Sequence, residues 1–354
     1  MTKDDKSLLI ETSVNWFIEN RHRYKKLCLK IESILNEILE IEKIPFHAIN
    51  SRVKDVESFR NKISNDKYDK PTEQITDFSG IRIIAYVEDD VKKISNIIES
   101  IFDIDPKRSI DKSKNLGTNK VGYKSVHYIA KLKKDRTCLV EYKSLEGLFF
   151  EIQVRTILQH AWAEIEHDKN YKFSGKLPEE IARRFMLLAG SLEIADREFN
   201  NISKEIDELS SKVELGTKSG DLSFDINSTS LQQFVNTKFE ILLNNGHTFN
   251  FNKSEVAIEE LDKFGIKTLN KLNDLLSEEI LSDIINHYLP REKKAVWIPG
   301  LIRLLLIISD YKKYFQKSYN KEWDVWNSRD KQKTIFDKHG VDWDVIEKEY
   351  NVKL

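Results

Sequence analysis

The stretch Phe149–Lys172, FFEIQVRTILQHAWAEIEHDKNYK, changes its hydrophobic period from two to about 3.6 at Thr156. Before the change Phe150, Ile152 and Val154 alternate with Glu151, Gln153 and Arg155, the pattern of a half-buried strand. After it Ile157, Ala161 and Ile165, with Trp162 beside them, form a helical stripe, and His160, Glu164, His167 and Asp168 lie on the helix too. A strand with an acid, an amide and a guanidinium on one face, running directly into a helix, needs a sheet to join and a cavity to face.

The other strand signals are short. Ile81–Val87, following Gly80, is continuous and β-branched, as a central strand should be, and Arg82 is the only charge inside it. A charge in such a strand is paired or functional, because burying it alone costs several kcal/mol. Asp77 sits at the mouth of this strand, Ser125–Leu132 reads as a third, and Leu139–Tyr142 is strand-like. Helical spacing runs from Leu8 to about Ile44, in more than one piece, and again from near Ser51, from Asp89 to about Phe102 and from Pro178 to about Leu215. The expected fold is α+β: a small mixed β-sheet flanked by helices, followed by an α-helical domain.

At 354 residues the chain can bury two cores. Residues 1–215 form the first expected domain, residues 216–230 a polar Gly/Ser-containing linker, and residues 231–354 an aromatic-rich helical module without a chemical motif. Only 12 Gly and 6 Pro argue against an all-β architecture, and a formal net charge of −1 gives no global pull toward nucleic acid or membrane. Cys28 and Cys138 lack a ligand-like spacing. The N-terminus has no signal-like apolar core, and no run approaches the ~18 apolar residues that span a bilayer, so the expected location is cytoplasmic.

Cations gather locally instead. Lys54, Ser58 and Lys62, with Arg52 ahead of them, recur every four residues, either an ordinary exposed stripe or a set of donors for a polyphosphate. Between Lys107 and Lys124 six basic residues stand against Asp111 alone, with Gly117 and Gly122, and Tyr123 close to the end. That is a surface loop or a nucleotide cradle, offering charge to phosphates and a ring to a base. Arg21–Lys26 is a basic run that reads as a solvated helix face or a contact for RNA. The acids Asp77 and Glu151, both at strands amid these cations, can hold Mg²⁺ for phosphoryl or pyrophosphoryl transfer, which needs charge neutralisation and alignment more than covalent help. Walker A, Gly-rich kinase and dinucleotide-binding patterns are absent, and His160–Glu164–His167 is not the order of a zinc-protease helix.

Four blocks identify a family. Ser51-Arg52-Val53-Lys54 with Ser58 and Lys62, Asp77-Phe78-Ser79-Gly80-Ile81-Arg82, Gly122-Tyr123-Lys124-Ser125-Val126-His127 and Glu151-Ile152-Gln153-Val154-Arg155-Thr156 resemble, in order and spacing, the synthetase domain of RelA/SpoT alarmone synthetases. The resemblance covers about Pro45 to Lys172 and implies a nucleotidyltransferase-like fold and transfer of the β,γ-pyrophosphate of ATP to the 3′-hydroxyl of GDP or GTP. It implies that Arg52 and Arg82 sandwich the adenine and that Lys54, Ser58 and Lys62 hold ATP phosphates. Asp77 and Glu151 would coordinate Mg²⁺, with Glu151 also accepting the hydroxyl proton. Tyr123 would stack on the acceptor base, near Lys124, His127 and Gln153, with His160 at a base contact. Asn119-Lys120-Val121 departs from the Pro-Asn of many small synthetases, which leaves open an alternative acceptor, an adenosine nucleotide or the 3′ CCA end of tRNA, as in toxic relatives of toxin–antitoxin pairs. The residues before Pro45 are too few for the hydrolase domain of bifunctional members. The helical module is expected to serve homo-oligomerisation or binding of a protein regulator.

Overall fold

The computed structural model describes residues 3–64, 67–111, 125–173, 178–289, 295–319 and 325–350. The chain divides into two compact units, Met1–Ser203 and Lys204–Leu354. Helices of eight residues or more are numbered below.

The first unit is built on a six-stranded mixed sheet: β1 (Phe46–Val53), β2 (Ser79–Ala85), β3 (Phe102–Ile104), β4 (Ile110–Asp111), β5 (Val126–Leu132) and β6 (Phe150–Thr156), in the order β1-β2-β6-β5-β3 with β4 pairing β5. Among the described residues of this sheet only β2 and β6 run parallel; the other pairs are antiparallel. The helices are α1 (Lys3–Ile41), α2 (Val56–Ile63), α3 (Glu88–Ile101), α4 (Ile157–Phe173) and the first part of α5 (Glu179–Ser219).

The expected break in the first helix does not occur: α1 is a single helix of 39 residues. Its buried Leu27, Ile31 and Leu35 belong to one core with Ile81, Ile83, Ile152 and Val154 of the central strands and Ile94 and Ile98 of α3. Packing against that sheet, more than local propensity, holds such a helix together. A second difference concerns residues 46–53. The sequence reading starts a helix near Ser51, yet the chain stays extended as β1 until Val53, because Ala48–Val53 finds continuous antiparallel partners on β2. Helix α2 begins only after Asp55, whose side chain accepts a hydrogen bond from Ser58 N and caps it. The strand-like Leu139–Tyr142 is likewise a turn between short helices: Val140 is 88% exposed, and among the described residues nothing pairs with it to make a ladder.

The second unit contains α6 (Ser228–Lys238), β7 (Thr248–Asn250), α7 (Ser254–Phe264), α8 (Glu278–Tyr288), β8 (Ala295–Trp297), α9 (Ile298–Lys313), α10 (Val325–Lys338) and α11 (Trp343–Tyr350). Helix α9 is buried nearly all round from Ile298 to Ile307, so it forms the axis of this core, as a helix apolar on every side must. Arg303 and Glu260 are both buried and joined by a bidentate ion pair, with Tyr314 Oη donating to the same carboxylate at 3.1 Å. The stretch 216–230, expected as a linker, is ordered around apolar anchors. Helix α5 continues to Ser219, Leu222 is buried, and Asn227 and Ser230 form a capping box at the start of α6. Gly216 is a site of close approach rather than flexibility. A Cβ there would lie 2.5 Å from the Asp221 carbonyl oxygen and 2.7 Å from the Phe224 ring.

Candidate active site

The site follows from strand register. Across the sheet Arg52 pairs with Gly80 and Gly80 with Glu151, while Asn50 pairs with Arg82, Arg82 with Gln153 and Gln153 with His127. Paired residues point to the same face, so these two rows bring four strands' polar side chains together on the face away from the core. Gly80 adds no side chain between Arg52 and Glu151, which leaves the floor open. A cavity of about 440 Å³ lies over this floor, and Lys54, Ser58, Asp77 and Gln153 are among its lining. A larger cavity of about 880 Å³ lies beside α3 and β5. Ser125 and His127 line it, but Asp77, Glu151 and Lys54 do not, so the acid pair belongs to the smaller one.

Asp77 is positioned by its neighbour. Phe78 is buried and stacks on Phe17 at 4.8 Å, with Tyr24 and Phe59 at 4.9 and 5.2 Å, so an aromatic cluster pins the chain just before β2. The Lys54 amide donates to the Phe78 carbonyl, tying the end of β1 to the same point. Lys54 and Lys62 then donate to Asp77 Oδ2 at 2.8 and 2.9 Å. Lys54 lies ahead of α2 instead of on it, yet it converges with Lys62 all the same. Asp77 Oδ1 is buried without a hydrogen-bond partner. Burial opposes ionisation of Asp77, but the two ammonium groups outweigh it and hold the carboxyl below its ordinary value.

Glu151 ends a hydrogen-bond chain. His127 Nδ1 lies 2.9 Å from Glu151 Oε1, and His127 Nε2 lies 2.9 Å from Ser125 Oγ. Burial raises the Glu151 carboxyl, and the His127 contact more than offsets this, with Gln153 assisting and the Asp77 charge opposing, so its pKa is lowered. Two ionised acids thus face one cavity, one held by lysines and one by histidine. Serine, imidazole and carboxylate were present in the sequence blocks, but only the antiparallel β5–β6 pairing, with Ser125 just ahead of β5, reveals that they touch.

The remaining expected residues divide by location. Arg82 donates to Glu164 of α4 at 2.8 Å, and His160 lies 3.8 Å from the same carboxylate, so the polar side of α4 meets the sheet beside Arg82. Burial, then the Arg82 charge, depresses the His160 pKa. Glu164 is therefore a site neighbour with a partner, which the helical spacing of His160 and Glu164 had foreshadowed. Arg155 donates to Gln153 Oε1 at 2.7 Å, while its buried Nε has no partner. Arg52 and Ser58 are exposed at the cavity rim. Tyr123 and Lys124, expected on the acceptor side, lie outside the described residues, as does the side chain of His167. Among the described residues no group of three or more His, Cys, Asp or Glu could hold a metal ion, and no helix is long and apolar enough to cross a membrane.

Residues 51–176 match the region found in RelA/SpoT proteins. The chain is 30% identical to the GTP pyrophosphokinase YwaC of Bacillus subtilis over 168 residues, 46% of this chain and 76% of that relative. It is 27% identical to the GTP pyrophosphokinase YjbM of the same organism over 200 residues, 54% of this chain and 89% of the relative. Among solved structures it is similar to the small alarmone synthetase 1 from Bacillus subtilis, with 24% identity, a TM-score of 0.47, and coverage of 55% of this chain and 98% of that one. With the family region and most of the YwaC sequence matched, the chain belongs to the RelA/SpoT family.

Proposed function

We propose that this protein is an ATP-dependent pyrophosphokinase that transfers the β,γ-diphosphate of ATP to the 3′-hydroxyl of GDP or GTP. The observation that carries this reading is the pairing, in one cavity, of two ionised acids, Asp77 and Glu151, with Lys54 and Lys62 converging on the first. The names of the relatives, GTP pyrophosphokinases, supply the acceptor class.

In this reading Lys54, Ser58 and Lys62 bind the triphosphate, exchanging the Asp77 carboxylate for phosphate oxygens. Arg52 and Arg82 hold the adenine between guanidinium planes. Gln153 and His160 line the acceptor side with Tyr123 and Lys124. Glu151 accepts the 3′-hydroxyl proton. The hydroxyl oxygen then attacks the β-phosphorus of ATP, the bond from that phosphorus to the α,β-bridging oxygen breaks, and AMP leaves. His127 fixes Glu151 Oε1 and leaves Oε2 for the acceptor hydroxyl.

The residues fit a magnesium ion. Asp77 Oδ1 is a buried oxygen with no hydrogen-bond partner, and Glu151 supplies a second ionised carboxylate beside the same cavity. Asp77 and Glu151 would hold the ion, which when bound would neutralise charge on the polyphosphate and draw electron density from the transferring phosphorus.

Purified protein incubated with ATP labelled at the β-phosphorus and with GDP or GTP should yield a 3′-diphosphorylated guanosine nucleotide and AMP. Label appearing only on tRNA, or only on adenosine nucleotides, would overturn the acceptor and keep the chemistry. No transfer to any of them would overturn the reading altogether.

A further inference from the structure

Glu151, Gln153 and Arg155 share one face of β6, and the hydrogen bonds among them run in one direction. Arg155 Nη2 donates to Gln153 Oε1 at 2.7 Å. Gln153 in turn makes a side-chain hydrogen bond to Glu151. A guanidinium carries donors only, and an ionised carboxylate carries acceptors only. The amide between them therefore has one orientation, with its oxygen turned to Arg155 and its NH2 group to Glu151. Turned over, it would set donor against donor at one end and acceptor against acceptor at the other. Both mismatches would fall in a half-buried setting, where unmatched polar groups are costly.

Arg155 is poorly suited to any task but this one. Burial, then the Arg82 charge, works against its positive form, and Glu164 and Glu151 offset these only in part. Its Nε is buried without a partner, and among the described residues the guanidinium makes no hydrogen bond other than the one to Gln153. An apolar side chain of similar length would fill the same space without burying a charge. The guanidinium is explained by what it does to Gln153.

We propose that Arg155 is a positioning residue for diphosphoryl transfer, acting through Gln153 on Glu151 and not by contact with a nucleotide. The proposal rests on the reading of Glu151 as the group that accepts the 3′-hydroxyl proton. His127 holds Glu151 from β5, at 2.9 Å from Oε1, and the Gln153 amide holds it from along β6. With both in place the carboxylate has one position over the cavity floor. Without Arg155 the amide is free to turn its oxygen toward Glu151 and push the carboxylate out of line, and small misplacements of a reacting group are expensive in rate.

Arg155→Met should lower kcat about tenfold, the worth of one hydrogen bond from a charged group, and leave KM for ATP and acceptor within about twofold. Arg155→Lys, whose ammonium also has donors only, should recover most of the rate. In a Gln153→Met chain the Arg155→Met change should cost nothing further, because the two residues act as one unit. An arginine that bound nucleotide, or acted by its charge alone, would cost the same in both backgrounds. A second readout needs neither nucleotide nor turnover. In the wild-type chain the Gln153 side-chain NH2 protons, assigned by their loss in Gln153→Met, should resonate apart from those of exposed glutamines and exchange slowly with water. Arg155→Met should move them to the positions of free glutamine, and the wild-type measurement stands even where that variant fails to fold. Free-glutamine signals in the wild type would overturn the proposal. So would an undiminished Arg155→Met effect in the Gln153→Met chain, or an Arg155→Met rate within about twofold of wild type while Glu151→Gln is inactive. If Glu151→Gln keeps its rate, the reading of Glu151 as proton acceptor falls, and the amide signals still decide whether Arg155 orients Gln153.

Discussion

Replacing Glu151 by Gln isolates the acid from the shape of the site. The amide keeps an oxygen that can accept from His127 Nδ1, at 2.9 Å in the native chain, and has nearly the same volume. What disappears is negative charge. Two stability effects oppose each other: a hydrogen bond to a charged acceptor becomes a neutral one, and the repulsion from Asp77 that opposes ionisation of Glu151 is relieved. Each is on the order of 1 kcal/mol, so the melting temperature should scarcely move. The reaction should respond far more. A positioned general base contributes roughly 10²–10⁴ in rate, and a charge that would also hold the proposed metal would add to it, so kcat should fall by ~10² or more, about 2.7 kcal/mol of barrier. The assay is initial rate of diphosphoryl transfer at saturating ATP and acceptor, with the KM for acceptor measured in parallel. A kcat within about threefold of wild type, in a variant that melts like wild type, would remove Glu151 from the proton transfer and from the metal.

Asp77→Asn removes the partner of both lysines. The folded-state pKa of Asp77 is depressed, so its contribution to stability is full above the unfolded carboxylate value and is lost as pH falls through the folded one. The variant should therefore melt below wild type at neutral pH, and the gap should begin to shrink below about pH 3.9 and close at more acid pH, as followed by thermal melts across pH. Arg303→Met leaves the buried Glu260 without its ion-pair partner and should cost about 3–5 kcal/mol, with Glu260→Gln in the same chain recovering part of it, as read by urea unfolding. Asp196→Ala deprives the buried Thr156 hydroxyl of its acceptor at 2.7 Å and should cost about 1–3 kcal/mol in the first unit, measured in the same way.

The polar face of β6 and the central strand β2 were legible from their alternation and their β-branched run, because those patterns record burial on one side or both. Asp77, Arg82, Glu151 and Gln153 could be named as candidates because a charge in or beside a buried strand requires a reason. The helix α1 was legible in kind and not in length, since no local signal distinguishes one long helix from two when a sheet supports it. Strand β1 was hidden because Phe46–Val53 becomes a strand only by pairing with β2, and pairing is not a local property. Residues 216–230 misled by composition: Gly and Ser signal freedom in isolation, while Gly216 is held by contact with Asp221 and Phe224.

The sequence alone determined which side chains face which way along each strand and helix, because period two and period 3.6 are properties of the backbone. It therefore determined that Glu151 shares a face with Gln153 and Arg155. Only the tertiary structure decided what that face meets. The parallel β2–β6 register sets Gly80 beside Glu151, and the antiparallel β5–β6 register sets His127 against it. The aromatic cluster around Phe78 brings Asp77 between Lys54 and Lys62. These contacts join residues far apart in the chain, and their energy comes from burial and register, which exist only once the sheet has formed.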